Sequence, residues 1–121
     1  MRVRAARGAI VVPLDTVESV LDSTERLLTE MIGRNGVQID DLVSILFTAT
    51  NDLHAAFPAE AARRLGLGAV PLMCASEIPV SGSMPSVVRV LMHFHSDRGL
   101  ADVALVYLEG AESLRDDLDD G

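Results

Sequence analysis

The segment 74-CASEIPVSGSMPSVVRV-90 gathers residue types that could do chemistry. Cys74 and Glu77 precede a loop of small residues, and Arg89 follows inside an apolar run. A charge within an apolar segment calls for a partner. Arg89 stands between Val88 and Val90, so in a strand it points to the face opposite those two residues. Two readings stand side by side. Arg89 is either a solvent-facing arginine on a half-exposed sheet, or an inward one that meets a carboxylate or an ether oxygen. Glu77 correspondingly either pairs with Arg89 or accepts a hydrogen bond from a ligand hydroxyl. Cys74 reads as an inert, buried small residue, because no local histidine motif marks it as a nucleophile. Arg7, just before Gly8, reads by itself as a strand-edge arginine in water.

The remaining reactive side chains give weaker signals. His93 and His95 have strand spacing and point the same way, but two ligands without a third do not make a metal site. Neither a metal nor a cofactor is expected. His54, in 52-DLHAAFP-58, reads as a turn or helix-start histidine before it reads as a base. The glycines at 66, 68 and 82 match no phosphate-binding loop. A single cysteine excludes an internal disulfide and a cysteine-based zinc cluster.

The elements that must position these residues follow from periodicity. The stretch 3–12 reads as a strand with arginines at its start. The stretch 15-DTVESVLDSTERLLTEMIGRNG-36 is the clearest helix. Its apolar residues recur at helical spacing, Asp15 and Glu18 suggest a capping box, and Gly33 or Gly36 suggests the stop. A buried strand over 42–50, a short helix over 58–65 and a short strand over 70–75 follow. The loop 79–85 leads into a long strand over 86–96, and a last strand covers 103–111. This is an α+β chain with α/β character: one sheet and two helices. Two helices leave one face of such an apolar sheet bare, which predicts a homo-oligomer with any ligand cleft between subunits.

Composition narrows the partners. The chain has 121 residues, is 49% hydrophobic and fits a single domain over 1–115 with an acidic tail at 116–121. A chain of this size buries roughly two-thirds of its unfolded surface. The net charge is −8, and all ten basic residues are arginines. That balance argues against nucleic acid or an anionic membrane surface as a partner. An anionic ligand would need a local group of arginines. No apolar run approaches the roughly 18 residues that cross a membrane, and 8–13 is too short for a signal-peptide core. A soluble, cytoplasmic protein is expected.

Four blocks in order carry a resemblance: 6-ARGA-9, 48-TATNDLHAAFPAEAAR-63, 71-PLMCASEIPVSGSMPSVVRVLM-92 and 105-LVYLEGAESLRDDL-118. Together they resemble the monofunctional chorismate mutases of the trimeric, non-helical class, over nearly the whole chain. The most specific piece is the block beginning at Thr48, followed by Cys-x-x-Glu with a later strand arginine. The resemblance implies a mixed sheet with helices on one side, three subunits closing into a pseudo-α/β barrel, and active sites between neighbours. It implies rearrangement of chorismate to prephenate, a concerted Claisen shift that needs no acid, base or nucleophile.

By the same resemblance, Arg89 meets the ether oxygen, Glu77 accepts from the ring hydroxyl with Cys74 nearby, and Arg7 binds a substrate carboxylate. Tyr107 belongs to the site. Phe57 and Ala59 form a wall from the neighbouring subunit, lined by Met73, and Arg63 attracts the anion. Leu114 and Arg115 match a segment that covers the cleft. This chain departs from the pattern at Glu60, where members often carry a basic residue, in a loop near 66–69 that is about one residue short, and in a short acidic tail. Two rivals remain on the sequence: a trimeric imine deaminase of similar fold, whose own strand arginine motif is missing here, and a non-catalytic trimeric module that only binds a small acid.

Overall fold

The computed structural model describes residues 1–115; the acidic tail at 116–121 lies outside the described residues. Five strands form one mixed sheet: β1 (Arg2–Val11), β2 (Leu42–Ala49), β3 (Leu72–Ser76), β4 (Val87–Ser96) and β5 (Val106–Leu108). Their order across the sheet is β3-β2-β4-β1-β5. The central β4 runs antiparallel to both neighbours, whereas β5 lies parallel to β1 and β3 parallel to β2. The fold class expected from the sequence is the one observed.

Two helices, α1 (Val17–Arg34) and α2 (Ala59–Arg64), pack into a single core with one face of the sheet. The helical face contributes Val20, Leu21, Leu27, Leu28 and Met31, and α2 adds Ala59, Ala61 and Ala62. The sheet answers with Ala6, Ile10, Ile45, Phe47, Val88, Val90, Met92 and Phe94. Burial of this apolar area supplies the main driving force of the fold. Gly8 lets α1 approach β1 closely: a Cβ there would lie 2.6 Å from Met31 Sδ and 3.0 Å from the Val106 carbonyl oxygen. Among the described residues no α-helix packs on the opposite face of the sheet, where only a 3-10 turn near β5 adds cover, and no helix is long and apolar enough to cross a membrane.

The structure corrects the expected helix cap. Thr16, not Asp15, caps α1, accepting the Ser19 N–H at 3.1 Å. Asp15 instead accepts the backbone N–H groups of His54 and Ala55 at 2.9 and 3.0 Å, tying the helix start to the segment before α2. The helix passes through Gly33 and ends at the Asn35 cap, with Gly36 at φ +62° beyond it. The last strand is also shorter than the expected 103–111. Glu109 (φ +54°) and Gly110 (φ +99°) turn the chain out of the sheet, and Ala111–Arg115 forms a 3-10 turn. Successive left-handed residues cannot continue a strand.

Candidate active site

Strand alternation decides which side chains share the uncovered face. Arg89 is opposite Ala9 on β1 and Thr48 on β2, and Tyr107 is opposite Ala9 from the other side. The next rung holds Arg7, Leu91, Leu46 and Met73. Side chains on adjacent rungs of neighbouring strands lie roughly 7–8 Å apart at Cα, within reach of two arginines. Arg7, Gly8, Leu46, Thr48, Arg89, Val90, Leu91 and Tyr107 line a depression of about 380 Å³.

Arg89 and Glu77 are ion-paired. The Arg89 Nε–H donates to both Glu77 carboxylate oxygens, at 3.2 and 3.1 Å. Glu77 Oε2 also accepts the Thr48 hydroxyl at 3.0 Å. Both charged side chains are half-buried or less exposed, 34% for Arg89 and 18% for Glu77. Among the described residues the terminal nitrogens of Arg89 have no hydrogen-bond partner. The carboxylate therefore fixes the guanidinium through its side edge and leaves its Nη1 and Nη2 donors available. Arg7 is exposed and, among the described residues, unpaired. Two guanidinium groups against one carboxylate give the depression a local positive charge on a chain of net charge −8. Such a site suits an anionic ligand that is partly apolar.

Tyr107 packs with Ala9, Val87 and Ala111 in a small second cluster, and Leu114 packs against it. The 3-10 turn thus brings Leu114 to the flank of the depression and leaves Arg115 exposed. These residues gather on one side of one chain: Arg7, Glu77, Arg89, Tyr107 and Leu114.

The other expected site residues do not line that depression within the chain, although Met73 shares its face at the sheet edge. Cys74 is opposite Phe47, so it turns toward the helices rather than toward Glu77. It lines a separate depression of about 360 Å³ with His54, Phe57, Pro58 and Ser76. Phe57 is 72% exposed and Met73, at the sheet edge, 63% exposed. Ala59 is buried at the start of α2. Arg63 is on the exposed side of that helix, ion-paired with Glu60 one turn earlier. Glu60 is thus spent on Arg63 instead of standing free. His93 hydrogen-bonds Ser44 on the uncovered face, with Nδ1 and Oγ 3.2 Å apart.

Thr48 is the functional side chain that sequence reasoning missed. It heads the 48–63 block, where nothing in the local pattern marks its side chain. Its place beside Glu77 depends on the β2–β4 register, which local pattern does not contain.

Comparisons with known proteins agree with this geometry. The family model described as Chorismate mutase type I matches residues 3–118. The chain is similar to the chorismate mutase AroH of Thermus thermophilus, 48% identical over 118 residues that cover 97% of each chain. It is similar to the chorismate mutase AroH of Bacillus subtilis, 41% identical over 98% of this chain and 94% of that one. A solved chorismate mutase from Clostridium thermocellum superposes with a TM-score of 0.89 at 45% identity, covering 91% of this chain and 98% of the other. A match over nearly the whole length, on a fold whose uncovered face carries the paired Arg89 and Glu77, makes this chain a member of the chorismate mutase type I family.

Proposed function

We propose that this chain catalyses the rearrangement of chorismate to prephenate, in the cytoplasmic synthesis of phenylalanine and tyrosine. The observation that carries the reading is Arg89: a guanidinium in mid-strand, held at Nε by Glu77, with its remaining donors unpaired among the described residues, in a depression that Arg7, Thr48 and Tyr107 line with it. The carbon–oxygen bond of the substrate breaks ahead of carbon–carbon bond formation, so negative charge grows on the ether oxygen. A guanidinium already fixed there stabilises the transition state more than the ground state. Lysine would not reproduce its planar fork. Neither a nucleophile nor a general base is required, which agrees with a Cys74 that lines a different depression.

The other roles follow from the same pose. Arg7 takes a substrate carboxylate. Glu77 accepts from the ring hydroxyl when the ligand enters, while keeping its hold on Arg89. Tyr107 walls the reacting ring, and Leu114 and Arg115 cover the cleft. Phe57, Ala59 and Arg63, with Met73 at the sheet edge, stand apart from this cluster in one chain. We assign them to the wall that a neighbouring copy lends. The uncovered sheet face supports this: it is the surface on which a second subunit buries apolar area. The assembly proposed is a homotrimer with three sites between subunits, without a cofactor.

The test is direct. Purified protein mixed with chorismate should remove the diene absorbance, and acid should then convert the product to phenylpyruvate. A folded protein that leaves chorismate unchanged would overturn the activity. Light scattering should give the mass of three chains; a monomer would refute the shared site.

A further inference from the structure

The segment 50–52 carries polar side chains that the proposed chemistry does not use. Asp52 Oδ2 accepts both the backbone N–H and the hydroxyl of Ser86, each at 2.9 Å. Ser86 has φ +59°, a left-handed conformation rare for a residue with a side chain. Such conformations persist where the surroundings over-determine them. The Thr50 hydroxyl oxygen accepts the Val87 N–H at 3.0 Å, and the Thr50 N–H donates to the Val87 carbonyl at 3.1 Å. One residue earlier, the Ala49 carbonyl accepts the Glu77 N–H at 3.0 Å. Both ends of the loop 77–86 are therefore fastened to one short stretch of chain.

The two partners of the ion pair are held differently. Arg89 sits inside β4, paired on both sides by β1 and β2. Glu77 lies just past the end of β3, where its N–H donates to the Ala49 carbonyl and its carboxylate accepts the Thr48 hydroxyl, and it opens the loop 77–86, whose other end returns at Ser86. The Thr50 hydroxyl first, and then the Ser86 hydroxyl and neighbouring backbone N–H groups, hold the Asp52 carboxyl below its ordinary value despite partial desolvation. The bonds from Ser86 are thus made to an ionised acceptor at neutral pH.

We propose that Asp52 is a positioning residue: by holding Ser86 in its left-handed turn, it sets the return of the loop 77–86 and so the placement of Glu77 against Arg89. The inference rests on the mutase reading of the site. Asp52 is itself exposed and contributes nothing to the core, so its loss acts on the loop rather than on the fold.

Asp52→Ala and Asp52→Asn test this by steady-state kinetics, thermal melting and amide hydrogen exchange. Displacing a group by a fraction of an ångström costs rate steeply, so Asp52→Ala should lower kcat by about tenfold or more with little change in KM. Exchange should quicken over 77–87 alone, with Tm and assembly mass unchanged. Asp52→Asn, which keeps one acceptor oxygen in place, should fall between. An unchanged kcat in Asp52→Ala would overturn the proposal. So would unchanged exchange over 77–87, or a loss matched by a lower Tm and faster exchange throughout the chain. A parent protein that leaves chorismate unchanged would overturn the mutase reading instead; exchange over 77–87 would still report on the clamp.

Discussion

Along β4, Val88, Val90, Met92 and Phe94 are buried beneath the helices, while Arg89, Leu91, His93 and His95 alternate with them on the uncovered face. One strand thus serves two surfaces that answer to different physics. Under the helices, identity matters through volume: the side chains are aliphatic or aromatic and fully enclosed. On the other face, identity matters through charge and direction: Arg7, Thr48 and Arg89 stand on neighbouring rungs. The difference teaches how so small a chain keeps a charged site. The fold is stabilised on one side, so the other can hold half-buried groups whose arrangement need not be optimal for stability. Pairing of Arg89 with Glu77 does not have to strengthen the fold to be retained.

Substitutions on the two faces should therefore separate stability from activity. The largest loss of stability is expected for Phe94→Ala, which empties part of the covered face. It should cost about 3–5 kcal/mol and lower the denaturation midpoint sharply. An unaltered midpoint would mean that this face is not the core.

Arg89→Ala should do the reverse. Removing one donor aimed at developing charge costs about 3–4 kcal/mol of transition-state stabilisation, read as kcat/KM, with the melting temperature held. Near-normal turnover would break the division of labour between the faces.

Gly8→Ala probes the point where the two faces meet. Its added methyl would press on Met31 and on the Val106 carbonyl, at a cost of about 1–3 kcal/mol in stability. If Arg7 is displaced as well, KM should rise with it; a loss of stability with KM unchanged would show that β1 transmits no strain to Arg7.

The smallest effect is expected at Glu60→Gln. Glu60 and Arg63 pair on an exposed helix surface, where such pairs contribute about 0–1 kcal/mol. Freeing Arg63 should therefore leave stability nearly unchanged and lower KM for a dianion by a few-fold at low salt, with the gain shrinking as salt is added. An unchanged KM at every ionic strength would remove Arg63 from the site.

Much of the arrangement is legible in the sequence. Alternation placed Arg89 opposite Val88 and Val90, and the structure has it there. Helical spacing located α1, and the shift of its cap from Asp15 to Thr16 came from a contact the spacing could not contain: Asp15 is engaged by His54 and Ala55, some 40 residues away. The shortened β5 turned on two left-handed residues, of which only Gly110 advertises itself by residue type.

By itself the sequence determined the element types, their order, the face that Arg89 occupies and the family to which the chain belongs. These rest on local periodicities and on motif spacing, which are carried by neighbours along the chain. Only the tertiary structure decided that Thr48 supports Glu77, that Asp52 fastens Ser86, and that Cys74 and Phe57 lie apart from Arg89. Those facts depend on strand register and on contacts across the fold. A one-residue slip would exchange the two faces of a strand without altering a single residue, so no local pattern could have settled them.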